Sequence, residues 1–197
     1  MQVIPPEKIG AYLRAAEEHG VLPMFYLELT TGLRRGELTD LLWSDLDIKG
    51  QTLSVSKSAG RINGEVKVTQ PKTKNSVRTI YLPKETVDLL MEEHRKHIFN
   101  QYMFPSPVTG EMYAPECVGR LHKKLLERAG ITEKVRFHDL RHTFATLAIQ
   151  GGVDAKTVSS ILGHYSAGFT LDTYTHVTGD MQKEAAKRVG SLIAQAV

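Results

Sequence analysis

Apolar residues recur at helical spacing through most of the chain and at strand spacing in one interval. Residues 6–22 set Ile9, Leu13 and Ala16 on one stripe behind Pro5-Pro6, which predicts a first helix. A second is predicted from Pro23 to about Thr31, with Met24, Leu27 and Leu29 for burial and Gly32 as its break. Beyond Arg34-Arg35 the helical period resumes from Glu37 to Trp43 over Leu38, Leu41 and Leu42. The first amides of that helix would point where the arginines point, an arrangement that favours an anion. Between residues 46 and 83 the period drops to two. Leu46 and Ile48, then Leu53 and Val55, alternate; Asn63-Gly64 is a hairpin turn; Glu65–Thr69 and Val77–Leu82 are further short strands. Lys72 and Lys74 ride on the turn before the last strand. Helical spacing returns at 84–98, 115–129 and 138–150, the last over Leu140, Phe144, Leu147 and Ala148. Asp154 reads as the N-cap of a short helix through Val158, Ile161 and Leu162, stopped by Gly163. Tyr174 falls in another short helical piece, and Asp180 caps a last helix over 181–195. The expected fold class is α+β: a mainly α-helical domain with a small three-stranded antiparallel sheet.

Length and composition narrow this picture. A chain of 197 residues with 41% hydrophobic and 24% charged residues can bury a real core as one globular domain. Cys117 is the only cysteine, so no internal disulfide forms, which fits a reducing compartment. No apolar run approaches membrane-spanning length and no signal peptide precedes the chain, so a cytoplasmic protein without a membrane partner is expected. The net charge of +3 is weak evidence by itself, but its distribution is not. Lys67, Lys72, Lys74 and Arg78 form one basic cluster, Arg120, Lys123, Lys124 and Arg128 a second, and Lys183, Lys187 and Arg188 a third. Acids gather elsewhere, in Glu37, Asp40, Asp45 and Asp47. A segregated basic surface is the footprint of a polyanion partner.

The candidate chemistry centres on residues 137–176. His138 and Arg141 stand three apart and so share a helix face. His164 follows the Gly163 stop, and Tyr174 lies ten residues further on. Guanidinium offers fixed donors that suit phosphate, and a phenol beside such a cluster can act as a nucleophile. Singly, each residue has an ordinary explanation: a surface arginine, a core histidine, a half-buried tyrosine. The ordered set Arg34, Lys72, His138, Arg141, His164 and Tyr174 is what raises the odds of a common site.

In that order the chain resembles the tyrosine recombinase, or phage integrase, family. The matching words are Thr31-Gly-Leu-Arg34-Arg-Gly-Glu-Leu38, Pro71-Lys-Thr73, Val77-Arg-Thr-Ile80, His138-Asp-Leu-Arg-His-Thr143, Leu162-Gly-His164 and Thr173-Tyr-Thr-His176. The closing Leu171–Val177 is most similar to integrases of conjugative transposons and temperate phages. The resemblance implies that Tyr174 attacks a DNA phosphodiester, leaving a 3′-phosphotyrosyl link and a 5′-hydroxyl. It implies that Arg34 and Arg141 clamp the non-bridging oxygens, that Lys72 protonates the leaving oxygen, and that His138 manages protons at the nucleophile. His164 would bond or position the phosphate. Lys74 competes with Lys72 for the acid role, and Glu37 would orient Arg34. Neither metal, ATP nor another cofactor is implied. The implied partners are double-stranded DNA, a homotetramer assembled on it, and accessory DNA-bending or excision proteins. The family's full-length members carry an N-terminal core-binding domain; because the catalytic match starts within the first few tens of residues, 1–197 is expected to be the catalytic domain without it, and weak DNA binding is expected. Helix 181–195 would either pack on a neighbouring subunit or fold back on its own core. Three rival readings are a metal-dependent phosphodiesterase using His138, His142, His164 and His176, a type IB topoisomerase, and a DNA-binding module without catalysis.

Overall fold

The computed structural model describes residues 2–62, 65–69 and 77–163, with 187 and 191 as isolated helical positions. Seven α-helices are present among the described residues: α1 (Pro6–Glu18), α2 (Leu22–Thr31), α3 (Arg35–Thr39), α4 (Lys84–Lys96), α5 (Pro115–Arg128), α6 (Phe137–Gln150) and α7 (Ala155–Leu162). Five short strands complete the α+β fold: β1 (Leu46–Asp47), β2 (Thr52–Val55), β3 (Ser58–Ile62), β4 (Glu65–Thr69) and β5 (Arg78–Tyr81).

The three-stranded antiparallel sheet has the order β1-β2-β5, with Leu46 opposite Leu53 and Leu53 opposite Ile80. Its membership differs from the expected one. Residues 65–69 pair only with 58–62, as a separate two-stranded ribbon running from Ser58–Thr69 to Ile62–Glu65. The ribbon leaves the sheet because β3 lies on α3 instead. A Cβ added at Gly36 would stand 2.0 Å from the Ala59 carbonyl, so glycine is what allows that approach.

Two helices are shorter than their apolar periods suggest. The first ends at Glu18, where Gly20 takes a left-handed conformation (φ +72°) and donates to the Glu17 carbonyl. The third stops at Thr39, and Trp43–Asp45 is a separate 3-10 turn started by the Leu42 N–H donating to the Asp45 carboxylate. Asp154 caps α7 as expected, accepting from the N–H groups of Lys156 and Thr157, and Gly163 ends it at φ +63°.

The main core joins Tyr12 of α1, Phe25 and Leu27 of α2, Leu53 of β2, Leu90 of α4, Leu125 of α5 and Leu140 of α6. A smaller cluster of Phe144, Ala145, Ile149, Val158 and Leu162 seats α7 on α6. Gly32 holds the corner where α2 meets these two helices. It ends α2 at φ +61°, and a Cβ there would lie 2.7 Å from Leu162 and 2.8 Å from Phe144. The ends of α2 and α7 therefore come together over the first turns of α6. No helix among the described residues is long and apolar enough to cross a membrane. Lys72 and Lys74, His164, Tyr174 and most of the 181–195 segment lie outside the described residues.

Candidate active site

The last turn of an α-helix leaves carbonyls without intrahelical donors, and they carry the negative end of the helix dipole. In α7 each of the last three such carbonyls takes a different arginine. Arg78 Nε donates to Ile161 O at 2.6 Å, Arg141 Nη2 to Leu162 O at 2.5 Å, and Arg34 Nη2 to Gly163 O at 3.2 Å. The three come from β5, from α6 and from the residue that opens α3. Arg141 also donates to Gly32 O at 2.7 Å, so one guanidinium bridges the ends of α2 and α7.

Glu37 binds this array together. Its carboxylate accepts the Arg34 backbone N–H at 2.8 Å and Arg34 Nη1 at 2.8 Å. Arg78 meets it through both terminal nitrogens, Nη1 to Oε1 at 3.0 Å and Nη2 to Oε2 at 2.9 Å. The amide at the start of α3, expected to face an anion, is thus taken by the chain's own carboxylate. Burial pushes the Glu37 carboxyl up, but Arg78, followed by Arg34, overrides this and holds it below the usual carboxylate range. Arg141 is pulled down to about 10, chiefly by burial and then by the Arg34 charge; it stays protonated at neutral pH.

Arg141 is 2% exposed, whereas the Arg34 side chain is 39% exposed. The first forms the floor of the site and the second its rim. His138 lies in the first turn of α6, three residues before Arg141. Its ring meets His142 edge-on, with centroids 5.1 Å apart and planes at 87°. Partial burial, then the Arg141 charge, lowers its pKa below the ordinary histidine value, so the neutral ring that can accept a proton predominates near pH 7. Close to the arginines lies Glu28 of α2, fully buried, with neither carboxyl oxygen hydrogen-bonded among the described residues. Desolvation raises its pKa well above the usual range, against the opposing pull of Arg141, and so favours the neutral carboxyl.

Of the six residues expected to form the site, the structure brings together Arg34, His138 and Arg141; Lys72, His164 and Tyr174 lie outside the described residues. The chain position of His164, directly after Gly163, ties it to the carbonyl that Arg34 holds. Arg78, which the sequence sets in a basic cluster and in the matching word Val77-Arg-Thr-Ile80, is the site residue to which the sequence reading gives no role. Its signal was available: in β5, Arg78 and Ile80 share the inward face while Thr79 and Tyr81 are exposed, and an inward-facing strand arginine needs a buried acid.

Residues 3–181 match the family model described as the phage integrase family. The chain is 30% identical to a "Tyrosine recombinase XerC-like" protein of Caldanaerobacter subterraneus subsp. tengcongensis, over 98% of this chain and 54% of that one. It is 31% identical to the ICEBs1 integrase of Bacillus subtilis, over 95% and 54% respectively. The chain thus spans about half the length of these curated relatives. Among solved structures, a fragment of the Tn1549 transposon integrase in complex with a circular intermediate DNA superposes with a TM-score of 0.81 at 22% identity, covering 95% of this chain and 66% of that one. That likeness concerns the fold. On the match over most of its length, the chain belongs to the phage integrase family of tyrosine recombinases.

Proposed function

We propose that this chain is the strand-cleaving part of a site-specific DNA recombinase that integrates or excises a mobile element. The observation that carries the reading is the set of three arginines on consecutive carbonyls of α7, with Arg34 on the rim, Arg141 on the floor and a neutral His138 beside them. Guanidiniums held by backbone carbonyls suit a trigonal-bipyramidal phosphate, whose extra negative charge they would meet with little reorganisation.

In the proposed reaction the Tyr174 oxygen attacks the scissile phosphorus, and the bond from phosphorus to the 5′-oxygen breaks. His138 takes the phenol proton, and Lys72 gives one to the departing 5′-oxygen, which leaves as a hydroxyl. The phosphotyrosyl ester keeps the energy of the broken bond, so religation to another 5′-hydroxyl needs no ATP. His164, next to the Arg34-bound carbonyl, would bond a phosphate oxygen. On duplex DNA the protein would act in the cytoplasm, on the nucleoid, as a tetramer with accessory DNA-bending or excision proteins. Residues 181–197 would be the exchange segment between subunits. In the relatives' longer chains the remaining length would supply a second DNA-binding unit.

A nicked duplex drawn from the DNA bordering the gene tests this. The wild-type chain is expected to form an SDS-resistant adduct, in EDTA as in magnesium, that maps to Tyr174, and Tyr174→Phe to form none. An adduct on another residue, or cleavage abolished by EDTA, overturns the reading.

A further inference from the structure

We propose that Arg78 is a positioning residue for strand cleavage: one buried guanidinium that locks Glu37, and through it Arg34, to the end of α7. The inference rests on the strand-cleavage reading above, and adds to it a residue that would touch neither DNA nor the reacting atoms.

The geometry sets the role. Arg78 Nε and both of its terminal nitrogens are engaged, the first with Ile161 O and the others with the two oxygens of Glu37. The guanidinium side chain is 6% exposed and its carboxylate partner 3%, so the pair sits in a low-dielectric interior. On its far side Glu37 holds both the backbone and the side chain of Arg34. Remove Arg78 and two things change together. Glu37 loses the bidentate partner that fixes its plane, so Arg34 can swing with it. The Ile161 carbonyl loses its donor, which frees the α7 end that also carries the Arg34 and Arg141 acceptors. In the sequence Arg78 follows Lys72 by six positions, and Ile161 precedes His164 by three. A single side chain therefore joins β5, the Glu37–Arg34 pair at the start of α3 and the end of α7.

Lysine cannot take over. Its one nitrogen cannot reach both carboxylate oxygens and a carbonyl in the planar fork that arginine presents.

The test uses the full chain, the nicked duplexes described above, and the variants Arg78→Lys and Arg78→Gln. Cleavage rate is expected to fall about 100-fold in both, the order of loss that follows displacement of a phosphate-aligning group by about 1 Å. Affinity for the uncleaved duplex should stay within about threefold, because Arg78 makes no phosphate contact. Non-additivity with Glu37→Gln is expected, since both changes release the same carboxylate contact.

The pH profile supplies a reading that a purely structural role would not give. Glu37 is faced by Arg34, by Arg78 from β5, by Arg141 from α6 and by Glu28 from α2. Loss of the Arg78 charge weakens the pull that opposes burial, so the acid limb of the cleavage rate should move to higher pH in Arg78→Gln, and by less in Arg78→Lys, which keeps a charge there. The proposal is overturned if both variants cleave within threefold of wild type, if affinity falls as much as rate, or if the losses multiply with Glu37→Gln. It is also overturned if both variants fail to fold, which would make the residue structural. Absence of an adduct from the wild-type chain sinks the cleavage reading instead, so the two failures separate.

Discussion

At the start of α3, the Arg34 N–H donates to the Glu37 carboxylate at 2.8 Å; at the start of α6, the Arg136 N–H donates to Asp139 at 2.8 Å. In both, an arginine precedes the helix, an acid stands three residues on, and the same acid also takes the guanidinium. Both acids are almost fully buried. The surroundings then separate them. Glu37 is shared with Arg78, and Arg34 reaches across to Gly163, 129 residues away. Arg136 turns back only to its own Asp139 and is 75% exposed. One cap, written twice, becomes a fixed charged array at α3 and a local helix start at α6. The added term is the C-terminus of α7, which only the first can reach.

This contrast can be broken from either side. The largest effect is expected from Arg34→Ala. If its guanidinium meets the transition-state charge, cleavage on a nicked duplex should drop by about 100- to 1000-fold, with little loss of thermal stability because the side chain lies on the rim. Next comes Arg141→Ala, which should harm both properties. It removes the donor from the buried Gly32 and Leu162 carbonyls, at about 1–3 kcal/mol for each acceptor left unsatisfied, measurable by urea unfolding.

A third experiment sharpens the comparison through Glu28, whose pKa, raised by burial, also responds to Arg141, Glu37 and Arg78. Burial favours its neutral carboxyl in the folded chain, whereas the unfolded chain ionises it above about pH 4.5. The folded state then binds the extra proton, so stability declines as pH rises from there toward the raised folded value. Glu28→Leu should remove that decline and stabilise the protein by about 1–3 kcal/mol near neutrality. Glu37 and Asp139 have the opposite sign. Both are held low, so their contribution is complete above the ordinary carboxylate range and fades as pH falls through their folded values.

The smallest effects belong at α6. Asp139→Asn should cost about 1 kcal/mol, the scale of a lost helix cap. Arg136→Ala should leave cleavage unchanged and barely move the melting temperature, since exposed pairs contribute little. Comparable cleavage losses from Arg34→Ala and Arg136→Ala would erase the distinction between the two sites.

Much of the scaffold was readable along the chain because it rests on neighbours. The apolar stripes of α1, α2, α4, α5 and α6, the Gly32 and Gly163 stops and the Asp154 cap depend on contacts within a turn or two. Arg34, His138 and Arg141 stood out as chemistry through their family spelling, and the fold sets them together. Other features could not be read so. Residues 65–69 form a strand as alternation predicts, but their partner depends on Gly36 admitting β3 onto α3. Arg78 looks like one more cation until the fold sets it against Glu37, 41 residues away, and Ile161, 83 away. Glu28 looks like a solvated helix acid until the fold buries it completely. Helical period and capping are decided by backbone geometry over a few residues, so the local order of residues carries them. Which buried charges meet is decided by packing between distant elements, where the energy of a carboxylate depends on neighbours that no local pattern names.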